Sequence, residues 1–166
     1  GYIYCLGLDG KLQWKTRLAL RNYRIAGNGR IISAWPVRSG VLVEKDVAYA
    51  AAGMFPSEGV RVYALDTVGG RIKWSSKLQT DVPAQGHLLM SEEYLYVPTG
   101  RDNPVLYNRA SGNKVRQLKG KGGADVTLFG DTVFYGPGRT GQKFIVLPEQ
   151  SGVFHTFFGS PQNKRT

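Results

Sequence analysis

The residue types that most often perform catalysis occur in this sequence without the partners that catalysis needs. The two histidines, His87 and His155, each stand alone in an apolar strand context, and neither has a partner at the spacing of a metal site or a catalytic triad. Asp102 and Asn103 are adjacent, but Asp-Asn-Pro is a common turn sequence. The sequence therefore predicts no catalytic residue and no metal site.

Basic side chains provide the candidate binding chemistry. Lysine and arginine total 22 against 12 acidic residues, which gives a net charge of +10. One acid-free segment carries five arginines: Arg17, Arg21, Arg24, Arg30 and Arg38. This charge favours an anionic polymer such as a polysaccharide, or phospholipid head groups. Nucleic acid is the least favoured anion, because the aromatic residues fall in predicted strands and not among the basic ones. The alternative is a soluble basic surface whose acidic counterpart lies elsewhere in a longer protein.

Trp35 ends the basic segment, in the run Ala34-Trp35-Pro36-Val37. An indole can stack on a planar ligand, so Trp35 is a candidate stacking residue. Packing is the alternative, because proline and apolar residues flank the side chain. We interpret residues 19–40 as an insertion between regular elements, and long loops on a rigid scaffold often carry function.

Length and composition indicate which fold must position these residues. The chain has 166 residues, of which 42% are hydrophobic and 20% charged, so it is the size of one domain and can build a core. No apolar stretch approaches the roughly 18 residues of a membrane helix. A single cysteine excludes an internal disulfide framework. The 22 glycines and 8 prolines are typical of a chain that turns often, which favours an all-β fold.

Two markers repeat along the chain with a common period. In three segments an acidic residue of a predicted hairpin turn is followed seven positions later by glycine: Asp46 and Gly53, Glu93 and Gly100, Asp131 and Gly138. Each segment is followed by a second hairpin whose apolar start lies seven positions before a turn glycine: Tyr63 and Gly70, Val105 and Gly112, Ile145 and Gly152. These starts recur after 42 residues (63 to 105) and 40 residues (105 to 145). A unit of four strands in about forty residues is the size of one propeller blade.

The repeat predicts a partial β-propeller of four-stranded antiparallel blades, with about three and a half blades present. The predicted boundaries are a half-blade at 1–18, the basic insertion at 19–40, three blades at 41–78, 87–119 and 125–158, and a tail or linker at 159–166. An open propeller leaves unpaired sheet edges, which natural proteins avoid. We therefore expect a piece of a longer protein, with further blades of that protein or of another chain completing the ring.

The second hairpin resembles the repeat of the pyrroloquinoline quinone (PQQ) propeller family, A-x-D-x-x-x-G-K-x-x-W. The segment from Ala64 to Trp74 matches it with Arg71 in place of lysine, and the first hairpin keeps the Gly-Lys-x-x-Trp half. The later copies lack the tryptophan, with Arg116 and Thr156 near its place. In this motif the acid and glycine close the turn, and the tryptophan docks on a neighbouring blade. The residues that carry it are Asp9, Gly10, Trp14, Ala64, Asp66, Gly70, Trp74, Gly112 and Gly152.

The resemblance implies an exported, periplasmic bacterial protein and leaves three functions open. The first is a non-catalytic scaffold that binds protein or polymer and needs no cofactor. The second is part of a dehydrogenase that uses PQQ and calcium, with catalytic residues outside this chain. The third is a polyanion-binding module that uses the basic insertion. Fold-level analogy alone does not choose among them.

Overall fold

The chain is described from a computed structural model that covers residues 1–27, 29–119, 125–130, 132–136, 143–148 and 155–158. Its first strands form a two-stranded antiparallel sheet, the half-blade: β1 (Tyr2–Leu6) and β2 (Leu12–Arg17). A second two-stranded sheet lies within the insertion: β3 (Arg24–Gly27) and β4 (Arg30–Ser33).

Three four-stranded antiparallel sheets follow, each with its strands in chain order. The first blade contains β5 (Leu42–Glu44), β6 (Val47–Ala52), β7 (Arg61–Asp66) and β8 (Ile72–Lys77), with a 3-10 turn at Pro56–Glu58. The second blade contains β9 (Leu89–Met90), β10 (Tyr94–Val97), β11 (Val105–Asn108) and β12 (Lys114–Gln117). The third blade contains β13 (Asp125–Phe129), β14 (Thr132–Gly136), β15 (Lys143–Pro148) and β16 (His155–Phe158). The predicted all-β fold of antiparallel propeller blades is confirmed.

Apolar side chains fill the spaces between successive sheets. One buried cluster joins the half-blade to the first blade, a second joins the first blade to the second, and a third joins the second blade to the third. Strand β6 is buried at five successive positions, Ala48 to Ala52, because it has a neighbouring sheet on each side. Four of these five residues are alanine, which lets the flanking sheets approach closely.

The antiparallel connections divide the molecule into two faces. The turns between β5 and β6 and between β7 and β8 lie at one end of the first blade, which we call the tight-turn face. The β6–β7 connection, residues 53–60, lies at the opposite end, which we call the loop face. The insertion lies on the loop face too, because Gly53 and Met54 donate backbone hydrogen bonds to the carbonyls of Pro36 (3.0 Å) and Ala34 (3.3 Å). Among the described residues no helix is long and apolar enough to cross a membrane.

Candidate functional site

The contact between the half-blade and the first blade is made by a tryptophan and a hydroxyl on β2. The indole Nε1–H of Trp14 donates to the carbonyl of Thr67 at 2.8 Å, and the Thr16 hydroxyl donates to the carbonyl of Gly70 at 2.6 Å. Gly70 has φ +71°, and a Cβ there would lie 2.4 Å from Cε3 of Trp14. This turn therefore needs glycine both for its backbone and for the space that the indole occupies.

The same contact recurs one blade further along. Trp74 on β8 donates its Nε1–H to the carbonyl of Arg109 at 3.0 Å, and the Ser76 hydroxyl donates to the carbonyl of Gly112. Gly112 has φ +73°, and a Cβ there would lie 2.5 Å from Cδ2 of Trp74. A Trp-x-Thr/Ser pair on one outer strand thus docks on the Gly turn of the next blade at both sites.

The acidic residue of the motif closes its own turn. The Asp66 carboxylate accepts backbone hydrogen bonds from Gly69 (2.7 Å) and Arg71 (2.9 Å). The bond from Gly69 is the largest cause of a lowered Asp66 pKa. Asp9 accepts from the backbone N–H of Lys11 at 3.1 Å, and this bond lowers its pKa. Ala64 is fully buried on β7 beside this turn. The carboxylates of Asp9 and Asp66 therefore shape the hairpin turns.

A tyrosine in each blade reaches back to the preceding sheet. The hydroxyl of Tyr63 donates to the carbonyl of Leu18 at 2.7 Å, and that of Tyr107 donates to the carbonyl of Lys77 at 3.2 Å. The hydroxyl of Tyr135 contacts the carbonyl of Lys119 in the same way. These contacts of the tyrosines, and those of the Thr16 and Ser76 hydroxyls, could not be predicted, because nothing near these residues in sequence indicates partners in another blade.

The junction between the second and third blades lacks a docked tryptophan on its outer strand. Arg116 occupies the corresponding place on β12 and is exposed. The junction is made by apolar packing that includes Tyr96, Leu106 and Val133, with Tyr135 buried among them. Gly152, predicted as the turn glycine of this blade, and the tail at 159–166 lie outside the described residues.

The five arginines of the basic segment are all exposed on the loop face or beside it. Arg21 is ion-paired with Glu58 at 3.0 Å, and Arg17 donates to the carbonyl of Ala19 at 3.1 Å. In the part of the chain that the structure describes, Arg24, Arg30 and Arg38 form no ion pair. Because an exposed ion pair adds little energy, even Arg21 stays available to an anionic partner.

Trp35 lies inside the fold. Its side chain is 1% exposed, its Nε1–H donates to the carbonyl of Gly59 at 2.9 Å, and the Arg21 guanidinium lies 5.7 Å from the ring centroid. The indole anchors the end of the insertion to the β6–β7 loop. Stacking on a planar ligand stays a prediction that this placement does not favour.

A cleft of about 860 Å³ opens on the tight-turn face between the first and second blades. Two of its charged groups are paired: Arg109 forms an ion pair with Glu44 and also donates to the backbone carbonyls of Ser91 (2.9 Å) and Glu92 (3.2 Å). The Trp74 indole on its wall is committed to blade docking. Arg109, Glu44 and Trp74 in this cleft therefore hold the first two blades together.

Two residues that a calcium–quinone centre could use, Asp102 and Trp35, have other partners. The described residues hold no group of three or more His, Cys, Asp or Glu side chains that could bind a metal ion. Asp102 accepts a hydrogen bond from Gln117 Nε2 at 2.8 Å, and its second carboxylate oxygen accepts the backbone N–H of Asn103 at 2.7 Å, so its carboxylate is committed to a turn. Trp35, the candidate stacking residue, is covered by the chain itself.

Two solved structures share the arrangement of sheets. BamB from Moraxella catarrhalis is 18% identical with a TM-score of 0.57, and the match covers 89% of this chain and 40% of that one. The computationally designed Ika8 protein is 12% identical with a TM-score of 0.60, and the match covers 92% of this chain and 42% of that one. The fold is a partial β-propeller. No protein-family model and no curated protein matches the sequence. The chain spans less than half the length of both solved structures.

Proposed function

We propose that this chain is a non-catalytic module of the PQQ-like propeller type that serves as a protein- or polymer-binding scaffold in a larger exported bacterial protein. One observation carries the proposal: the residues of the repeat signature are used to dock one blade on the next. Trp14 and Trp74, with the hydroxyls beside them, bond to neighbouring turns. The fold shared with BamB supports a scaffold of this kind.

Cofactor titration tests this proposal against the dehydrogenase alternative. Purified protein is titrated with PQQ in the presence of calcium while the quinone absorbance is followed, and alcohol and sugar oxidation is assayed with an electron-accepting dye. We expect no saturable binding and no turnover by the chain. Turnover would contradict the scaffold proposal. The dehydrogenase alternative, with its catalytic residues outside this chain, is tested by the same titration on the full-length protein.

A specific observation favours polyanion binding as a second function. Arg24, Arg30 and Arg38 are exposed and, among the described residues, have no acidic partner, so a polyanion can neutralise them without breaking an existing ion pair. Each phosphate or sulfate that they bind releases counterions, so the affinity should fall steeply with salt.

Charge reversal with a matched control tests the second function. The triple variant Arg24→Glu, Arg30→Glu and Arg38→Glu is compared with Lys11→Glu, Lys114→Glu and Arg116→Glu, which changes the net charge equally away from the insertion. We expect the first set to lower the affinity for a sulfated oligosaccharide by more than tenfold and the control set to lower it much less. Equal losses would assign binding to net charge alone and contradict a site in the insertion.

A further inference from the structure

We infer that the half-blade presents a docking site for the outer strand of another blade, one that carries a Trp-x-Thr/Ser pair. The inference rests on the proposed propeller scaffold and specifies one of its partners. The site, which we call the uncovered docking face, consists of Tyr4, Leu6, Leu8 and Gly10.

The blades themselves show how this face is used elsewhere in the molecule. Tyr4 and Leu6 of β1 occupy the positions that Tyr63 and Leu65 occupy in β7, because both pairs flank the same irregularity in strand register. Tyr63 and Leu65 are 4% and 0% exposed beneath the half-blade, whereas Tyr4 and Leu6 are 54% and 60% exposed. Equivalent apolar positions are therefore covered in one blade and bare in the other.

The turn beside these residues has the features of an acceptor turn. The backbone N–H of Gly7 bonds to the carbonyl of Lys11, as that of Asp66 bonds to Arg71 in the first blade, so the half-blade turn is the same turn with one residue fewer. Leu8 thus corresponds to Thr67, whose carbonyl accepts the Trp14 indole. Gly10 has φ +78°, like Gly70 at +71°, but a Cβ at Gly10 would meet no atom within 4 Å.

The occupant must present the same groups as β2 and β8, the strands that dock on the turns at Gly70 and Gly112. It needs an indole N–H for the carbonyl of Leu8, a hydroxyl for the carbonyl of Gly10, and an apolar surface for Tyr4 and Leu6. Until it binds, the Lys15 ammonium lies over the rings of Tyr2 and Tyr4, 4.3 and 5.2 Å from their centroids.

The tryptophan of this occupant comes from another polypeptide segment and not from a second copy of residues 1–166. The chain has three tryptophans. Trp14 and Trp74 are docked on turns of the following blades, and Trp35 is buried against Gly59. A second copy has no tryptophan to offer unless one of its own blades undocks. A blade that docks here through a tryptophan therefore lies outside these 166 residues.

A hairpin peptide tests the inference. The probe is a cyclised peptide of residues 61–78, which contains β7, β8 and the Trp74 and Ser76 pair, and its hairpin structure is verified by circular dichroism. We expect it to bind the intact protein and to shift the amide resonances of Leu8 and Gly10. The peptide with Trp74→Ala should bind at least tenfold more weakly.

Two glycine variants of the protein provide the matched comparison. Gly10→Ala introduces a methyl group where the indole would dock and should reduce peptide affinity at least tenfold. Gly29→Ala has the same backbone penalty, at φ +70° with no atom within 4 Å of the added carbon, and should leave the affinity unchanged.

Three results would overturn the inference. They are no binding by a folded peptide, binding that Gly10→Ala leaves intact, and self-association of the chain that Gly10→Ala abolishes, which would make a second copy the occupant. Quinone turnover would instead contradict the proposed function and leave this docking face untouched.

Discussion

At the scale of single residues, two glycines with nearly the same backbone conformation have opposite surroundings. Replacing Gly70 or Gly10 by alanine raises the free energy of the folded state by a similar amount, on the order of 1–2 kcal/mol, because of the positive φ. At Gly70 the added carbon also overlaps the Trp14 ring, at 2.4 Å. We expect Gly70→Ala to lower the free energy of unfolding by about 2 kcal/mol more than Gly10→Ala, measured by urea denaturation. Equal losses would show that the Trp14 contact is not tight.

The buried tyrosines give the molecule a dependence on alkaline pH. Burial raises the pKa of Tyr107 to about 12 from an ordinary value of 10.0. The folded state then holds the phenol proton more tightly than the unfolded state. The stabilisation from the buried Tyr107 phenol is complete below the pKa that this group has in the unfolded state. It is lost as the pH rises through the pKa that the group has in the folded state. We expect the stability advantage of wild type over Tyr107→Phe, about 1 kcal/mol at neutral pH from the lost hydrogen bond, to shrink from about pH 10 upward.

That comparison needs the phenylalanine variant because lysines titrate in the same range. The lysines are the same in both proteins, so their contribution cancels when the two stabilities are subtracted. A stability difference that is constant from pH 8 to pH 12 would contradict burial of the Tyr107 hydroxyl. The same reasoning holds for Tyr135, whose pKa burial also raises to about 12.

At the scale of elements, the outer strands β2 and β8 are each held to the next blade by two hydrogen bonds with different chemistry. Trp74→Phe removes the indole N–H and keeps most of the apolar surface, whereas Ser76→Ala removes the hydroxyl alone. We expect each to destabilise the protein by about 1 kcal/mol, since each leaves a carbonyl without its side-chain donor. The double variant should lose less than the sum, because both bonds hold the same turn. Urea denaturation of the wild type, the two single variants and the double variant measures these losses. Strictly additive losses would contradict a shared contact.

The hairpins could be predicted from the sequence because their determinants are local. The spacing from Tyr63 to Gly70 and from Val105 to Gly112 encodes a strand followed by a tight turn, and the structure has both. Blade docking is different: Trp14 and the carbonyl it contacts are 53 positions apart. Only the assembled sheets bring them together, so the roles of Thr16 and Ser76 had no sequence signal.

The basic segment also has contacts between distant residues that the sequence could not predict. Its charge could be seen in the sequence, but the ion pair of Arg21 with Glu58 and the burial of Trp35 depend on residues of the β6–β7 loop. The insertion was therefore predicted to be basic, while the way in which the chain anchors it could not be predicted.

At the scale of the whole molecule, the three junctions between sheets are not equivalent. The first two have an indole docked on a glycine turn, and at the third Arg116 occupies the place of that indole. The free energy of local opening depends on the contacts that an opening breaks. We therefore expect the backbone amides of β14 to exchange with deuterium faster than those of β6 and β10, the equivalent strands of the other two blades.

Trp74→Arg tests whether the indole causes this gradient, because it gives the second junction the residue found at the third. In this variant the amides of β10 should lose protection and approach the exchange rates of β14. Strand β6 should change less, because Trp14 still docks on its blade. If β14 exchanges as slowly as β6 in the wild type, apolar packing of Tyr96, Leu106 and Tyr135 holds the third junction as firmly as a docked tryptophan does. The relative stability of the blades would then be set by the apolar clusters between the sheets and not by the residues of the repeat signature.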